Sequence, residues 1–162
     1  MNRVLAMAKR RKWPWVAGLV VVLALGAGAA ILVVRDPLRL PGEHDVDVYA
    51  VNDGISKQVT EPPGFFARAL GMCDADTYYA EDGDRKLCLV LNGPLGQVRA
   101  TRSDGRVKVA ADQVPKLKSM ATQDTGTPQP TTTLVLMSGG PAALIPVANL
   151  ADDTGVSVPA LG

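Results

Sequence analysis

The sequence has no acidic residue before Asp36, one histidine (His44) and two cysteines (Cys73 and Cys88). Because His44 lies in a Pro/Gly-rich stretch, we do not expect a hydrolase triad or a histidine-based zinc site. The 14-residue gap between the cysteines excludes a Cys-x-x-Cys redox motif. No basic stripe follows residue 36, so nucleic-acid binding is not expected either.

The absence of acidic residues coincides with an apolar N-terminal region. Residues 1–12 carry five basic side chains, and the 22 residues 13–34 carry no charge. As an α-helix this run would be ~33 Å long, enough to cross a hydrocarbon core of about 30 Å. The pattern predicts a cytoplasmic tail at 1–12 and a signal-anchor transmembrane helix at 13–35, in contact with membrane lipid. The positive-inside rule then places everything after Arg35 outside the cytoplasm.

A cleaved secretory signal is the alternative interpretation of this region. Residues 27–29 (Ala-Gly-Ala) fit a small-residue cleavage site, and cleavage near Ala29 would release the rest of the chain. However, the apolar run continues through 31–34, and Trp13 and Trp15 lie where an interfacial aromatic belt is found. We therefore favour an uncleaved anchor.

The remainder of the chain has a different charge balance. Residues 36–162 hold eleven basic and sixteen acidic residues, for a formal charge of −5, whereas residues 1–35 hold six basic residues and no acidic one. A segment of 127 residues suffices for one modest domain. We expect a juxtamembrane linker at 36–44, rich in proline and glycine, and a single extracytoplasmic domain at 45–162.

The domain has the pattern of an antiparallel β structure. Residues 45–51 alternate polar and apolar side chains with period two, which is typical of a half-buried strand. Asp-Gly pairs between such runs predict hairpins, because both central positions of a type I′ turn require φ > 0. The three predicted hairpins join 45–51 to 55–60, 77–80 to 85–91, and 97–101 to 106–110.

Few and short helices are expected, so the fold class is α+β with a mainly antiparallel sheet. Residues 62–63 (Pro-Pro) would open one helix that places Phe65, Phe66, Ala69 and Leu70 on one face before Gly71 ends it. Asp112 is the expected N-cap of a second helix. Its predicted buried residues are Val114, Leu117 and Met120, with Lys116 and Lys118 in water.

The C-terminal third is less regular. A Thr/Pro-rich loop is predicted at 122–133, followed by a strand at 133–137. Residues 144–147 form either an edge strand or a broken helix, because Pro146 removes a backbone donor. We expect residues 157–162 to be frayed.

A disulfide between Cys73 and Cys88 is the favoured state of the two cysteines, since both follow the predicted membrane segment. It would connect the end of the first helix to the second hairpin. Two buried free thiols that act as small hydrophobic side chains are the alternative.

Carboxylates supply the few candidates for chemistry. Asp-Thr-Gly occurs at 124–126 and at 153–155, but polar residues precede both aspartates, so polar turns are favoured over an aspartic-protease pair. Five carboxylates lie between the cysteines. A solvated acidic turn is the simplest interpretation, with a weak calcium site or a partner-binding patch as alternatives. The five are Asp74, Asp76, Glu81, Asp82 and Asp84.

These patterns favour a non-enzymatic protein without a metal or another cofactor. We expect an accessory, scaffolding or sensing subunit of a cell-envelope complex that binds a protein partner in the membrane or envelope through Tyr78, Tyr79, Asp82 and Asp84. The first alternative is a secreted binding or inhibitory factor. The second is a carboxylate-based hydrolase that uses Asp82, Asp84, Asp124 and Asp153.

Overall fold

The computed structural model describes residues 38, 42–52, 56–74, 76–123 and 126–162. The predicted tail at 1–12, the predicted transmembrane helix at 13–35 and the possible cleavage site at 27–29 lie outside these ranges. Within them, no helix combines the length and apolar composition needed to cross a membrane. They form a small, mostly antiparallel β domain with few short helices, as the sequence predicts.

The described elements follow one another in this order. The first half contains β1 (Glu43–Asn52), β2 (Lys57–Gln58), α1 (Phe65–Ala69), β3 (Thr77–Asp82), β4 (Arg85–Val90), β5 (Gly96–Ser103) and β6 (Arg106–Val109). The second half contains a 3-10 helix (Ala111–Gln113), α2 (Val114–Ala121), β7 (Thr132–Met137), β8 (Pro141–Pro146), a second 3-10 helix (Val147–Leu150) and β9 (Val156–Pro159).

The larger sheet has six strands in the order β8-β7-β1-β5-β6-β9, and every neighbouring pair is antiparallel. Its two edge strands approach each other at the bridge between Ala143 and Ala160, beside a 2.9 Å hydrogen bond from the Leu161 N–H to the Ala142 carbonyl. The sheet is therefore a partly closed barrel, in which the edges meet at this bridge and remain open beyond it.

Aliphatic side chains fill the interior of this barrel. Burial of one such side chain contributes about 1.5–3 kcal/mol, so this cluster supplies most of the driving force for folding. Helix α2 adds Val114, Leu117 and Met120, as its spacing predicts. Strand residues of the cluster include Val46, Val48, Val98, Val107, Leu134, Leu136, Ile145 and Val158.

A second, smaller sheet has the order β2-β4-β3 and packs on the outside of the barrel. Strands β1 and β7 belong to both cores, because alternate side chains point to opposite faces. Val48 and Leu136 point into the barrel, whereas Val51, Val135 and Met137 contact the small sheet. The small sheet contributes Ala80, Leu87 and Leu89 to this second cluster.

Two of the three predicted hairpins are confirmed. β3 and β4 join through Gly83 and Asp84, and β5 and β6 join through Asp104 and Gly105, whose φ angles of 54° and 69° suit a type I′ turn. The predicted pairing of 45–51 with 55–60 is wrong. β1 has both edges occupied by β5 and β7, so β2 pairs with β4 in the other sheet.

Other predictions about the ends of elements need correction. β1 begins at Glu43, and Leu38 in the predicted linker is fully buried in the barrel core. Asp112 is not an N-cap: it lies in a 3-10 helix, and its carboxylate accepts hydrogen bonds from Arg99 and Gln113. Residues 157–162 are not frayed, because β9 pairs with β6 and Leu161 is buried.

Two further strand predictions concern β7 and β8 in the C-terminal third of the chain. β7 covers the strand predicted at 133–137 and begins at Thr132, one residue earlier. β8 is an edge strand, so the edge-strand alternative is confirmed for 144–146, whereas Val147 begins the second 3-10 helix. The last residue of β8 is Pro146, where a missing donor is tolerated because the edge has no further partner strand.

Candidate functional site

Several large apolar side chains are exposed to solvent in and directly after α1. Phe65 and Phe66 are 79% and 81% exposed, Leu70 is 57% exposed and Met72 is 38% exposed. The helix is present as predicted, but its apolar residues face solvent instead of the core. The five residues of α1 make about one and a half turns, so the helix is too short to bury a long row of apolar side chains. Its Arg68 side chain also forms an ion pair with Glu81 in β3.

The chain after α1 is held firmly against β3. The Tyr79 N–H donates to the Gly71 carbonyl at 3.0 Å, and Met72 forms a β-bridge with Tyr78. The predicted disulfide is present between Cys73 and Cys88, with 5.9 Å between the Cα atoms. The exposed apolar side chains therefore stand on a segment that is fixed both covalently and by hydrogen bonds.

Polar contacts lie on the inner side of α1. The Arg68 guanidinium donates to Glu81 Oε1 at 2.9 Å and lies 5.3 Å from the centre of the Tyr79 ring. The Tyr79 hydroxyl donates to the same carboxylate oxygen at 2.6 Å. Burial, and then the hydrogen bond to Glu81, raise the pKa of Tyr79 above its usual value of 10.0. These contacts orient α1 with Phe65 and Phe66 outward.

The residues predicted to bind a partner do not share one surface. Tyr78 points inward to the second core cluster, beside Tyr49, whereas Tyr79 points to the α1 side and is only 7% exposed. Burial, and then the Asp47 carboxylate, raise the pKa of Tyr49. Asp82 is half-buried on the inner face, and Asp84 is exposed in the turn. Successive strand residues face opposite sides, which separates the two tyrosines.

The five carboxylates between the cysteines are dispersed. Glu81 is engaged by Arg68 and Tyr79, and Asp82 lies 3.7 Å from Arg85. Within the described ranges, no three histidine, cysteine, aspartate or glutamate side chains converge to hold a metal ion. The hairpin places these carboxylates on both faces, which is the arrangement of a solvated acidic turn.

The other candidates for chemistry also lie apart. Asp153 forms an ion pair with Lys118, with 2.7 Å between Oδ1 and Nζ. Asp124 lies outside the described residues. His44 is in β1 opposite Ala100, and its buried Nε2 atom has no hydrogen-bond partner among the described residues. Among the described residues, His44 and Asp153 do not form a hydrogen-bonded pair of a nucleophile and a general base.

A cleft of about 280 Å³ opens between the two sheets beside the junction of β8 and β9. Beyond the Ala143–Ala160 bridge, the next rungs of an antiparallel ladder would need N–H donors from Pro146 and Pro159. Proline has no N–H, so each of these rungs lacks one of its two hydrogen bonds, which disfavours further pairing of the two edges. The cleft walls are mainly aliphatic, and Asp82, Arg85 and Asn149 supply polar groups.

Neither the exposure of α1 nor the cleft was predicted from the sequence pattern. The shortness of α1 is a signal for its exposure, because five residues offer little surface to a core. The cleft has no local signal, since its lining comes from strands far apart in the chain.

The described residues thus form a small antiparallel β domain with a surface helix, a disulfide in the segment that follows this helix, and a cleft between two sheets. Comparisons with protein-family models, with curated proteins and with solved structures find no significant match to this chain.

Proposed function

We propose that this protein is a single-pass membrane protein whose extracytoplasmic domain binds another protein, as a non-enzymatic accessory, scaffolding or sensing subunit of a cell-envelope complex. The apolar surface of α1 carries the proposal. This surface, the α1 patch, consists of Phe65, Phe66, Leu70 and Met72.

The apolar N-terminal run supports the membrane part of the proposal. Its 22 uncharged residues follow a basic cluster, which favours a helix across the bilayer with residues 36–162 outside the cytoplasm. The disulfide between Cys73 and Cys88 agrees with an oxidising compartment.

The exposed side chains of the α1 patch support a binding role. Soluble domains rarely present several large apolar side chains together unless the surface is covered by a partner. Covering one phenylalanine removes enough apolar area to contribute about 1.5–3 kcal/mol. The disulfide between Cys73 and Cys88 and the hydrogen bonds behind the patch hold it in place, so association costs little conformational entropy.

Charges beside the patch favour a protein over an anionic lipid surface. The flanking residues Glu61, Asp74 and Asp76 are exposed, whereas the one cation within the helix, Arg68, is paired with Glu81. The segment 36–162 is also acidic overall. A complementary partner would present an apolar surface bordered by lysine or arginine.

The test uses the full chain with a photo-crosslinking residue at position 66, expressed in its native membrane. We expect one envelope protein to be crosslinked, and we expect it to be lost from mild-detergent purifications of the Phe65→Ser/Phe66→Ser variant. Lys57→Ser, at an exposed site of the small sheet, is the control and should retain it. Crosslinking only to lipid, or equal retention by the double variant, would contradict the proposal.

Location is tested separately. A reporter fused after Gly162 should be active only outside the cytoplasm, and the intact mass of the membrane-bound protein should include residues 1–35. A product that begins near residue 30 and is found in the medium would instead identify a secreted binding factor.

A further inference from the structure

We propose that the cleft between the two sheets binds a small aliphatic zwitterion, such as an aliphatic α-amino acid. This inference concerns a site on the inner face of the small sheet. It does not depend on the α1 patch, and either proposal can fail without the other.

The walls of the cleft determine the apolar part of the ligand. Side chains from both sheets line it, with Val51 and Leu144 on the barrel side and Leu87 and Leu89 on the small-sheet side. Leu161 closes one wall. A volume of about 280 Å³ is below the range of roughly 300–1,000 Å³ that is typical of drug-sized ligands. The cleft therefore suits a short aliphatic group.

Two opposite charges in the cleft lining determine the polar part. Asp82 and Arg85 end the paired strands of the β3–β4 hairpin, and their closest charged atoms are 3.7 Å apart. Their side chains are 39% and 60% exposed. The separation exceeds a hydrogen-bond length, so a ligand can hydrogen-bond to both ions without first breaking a short contact.

A ligand with one charge would interact unfavourably with one member of this pair. A carboxylate held by Arg85 would also face the Asp82 carboxylate, and an ammonium held by Asp82 would face the Arg85 guanidinium. A zwitterion satisfies both ions, with its ammonium at Asp82 and its carboxylate at Arg85. Charge complementarity thus selects a zwitterion over a simple acid or amine.

The open edge of the barrel is a poor template for an added β-strand. Pro146 and Pro159 each remove one main-chain donor from this edge. Strand addition takes its affinity from main-chain hydrogen bonds, so the loss of these donors weakens it. The remaining features of the cleft suit a compact molecule instead of an extended peptide.

The test is a titration of the full chain in lipid nanodiscs with L-leucine, followed by methyl NMR of labelled leucine and valine residues. We expect saturable shifts at Leu87, Leu89 and Leu144, and none at Leu117 in the barrel interior. Isovalerate and isopentylamine, which each lack one charge, and glycine, which lacks the tail, should bind at least about tenfold more weakly.

Paired variants separate the site from general effects on the hairpin. Asp82→Asn and Arg85→Gln should each weaken leucine binding about tenfold. Asp84→Asn and Lys86→Gln remove charges in the same hairpin at residues that do not line the cleft, so both should bind leucine normally. Binding of isovalerate, isopentylamine or glycine as tight as that of leucine would overturn the proposal. So would equal loss in all four variants, or the absence of saturable shifts with leucine, isoleucine and valine.

Discussion

The barrel and the small sheet outside it are stabilised in different ways. The barrel has strands of up to ten residues and an interior of buried aliphatic side chains reinforced by α2. The small sheet has strands of two and six residues, and it combines a smaller apolar cluster with a disulfide and an ion pair. The first layer has the larger apolar core and also carries surface ion pairs of Arg99 and Lys118. The second layer, which carries both proposed sites, has a smaller core and adds a covalent bond.

The largest expected effect is in the barrel. Leu117→Ala removes a fully buried side chain from α2 and should lower the free energy of unfolding by about 2–5 kcal/mol, because the cavity cannot be refilled. Denaturant unfolding of the full chain in detergent, followed by the signals of the β domain, measures it. Leu70→Ala is the matched control on the exposed α1, where we expect a change within about 0.5 kcal/mol. Equal losses at the two sites would contradict the assignment of the core.

Loss of the disulfide should affect the small sheet more than the barrel. Cys73→Ser/Cys88→Ser removes a bond between residues 15 positions apart, for which the loop-entropy estimate is about 3 kcal/mol. Hydrogen exchange should accelerate in α1, β3 and β4 while β1 and β5 remain protected. Uniform acceleration in both sheets would show that the two layers unfold together.

The polar contacts beneath α1 should contribute less. Tyr79→Phe deletes the hydroxyl that donates to Glu81, and we expect a loss of about 0.5–1.5 kcal/mol at neutral pH. Denaturant unfolding measures the change. Tyr78→Phe is the matched control on the opposite face of β3, and a loss of the same size there would contradict a specific role for the bond to Glu81.

The raised pKa of Tyr79 predicts a dependence of stability on pH. Folding raises this pKa above 10.0. The contribution of Tyr79 to the free energy of unfolding is therefore fully present below pH 10 and is lost as the pH rises through the folded-state pKa. Stability should therefore decline in alkali, and part of that decline should be absent in Tyr79→Phe. Tyr49, whose pKa is also raised, accounts for a second part, which Tyr49→Phe should remove.

The smallest change in stability is expected at the open edge of the barrel. Pro159→Ala restores an N–H that can donate to the Leu144 carbonyl, which favours one further rung between β8 and β9. The new hydrogen bond should stabilise the fold by about 0.5–1.5 kcal/mol. Loss of the proline gives the unfolded chain more conformational freedom, which destabilises the fold by about 0.4–1 kcal/mol and offsets the gain. Stability should hardly change, whereas the new amide should be protected from exchange and the cleft should narrow. An unprotected amide at position 159 would contradict the role assigned to this proline.

Local patterns predicted much of the fold. Period-two alternation in β1 and Asp-Gly in the β5–β6 turn act through neighbouring residues, and both features were predicted from the sequence. The spacing of Val114, Leu117 and Met120 predicted the buried face of α2 in the same way. The failed hairpin near residue 53 had an equally strong local signal. Competition for the edges of β1, which β5 and β7 occupy, decided its pairing.

The candidate sites were less predictable, because they depend on which side of an element remains uncovered. Phe65 and Phe66 were predicted to share one apolar helix face, and the position of Arg68 over Tyr79 turns that face outward. The cleft gathers residues from β1, β4, β8 and the C-terminal segment, and no short stretch of sequence contains its pattern.

By itself, the sequence determined the antiparallel class, the disulfide partners and the contrast between an apolar basic start and an acidic remainder. These properties depend on neighbouring residues, on a single possible pairing of two cysteines and on composition. The tertiary structure alone decided the strand order, the exposure of α1 and the cleft beside Pro146 and Pro159. Each of these arises where distant segments compete for the same sheet edge or core face, and that competition is settled only when the whole chain packs.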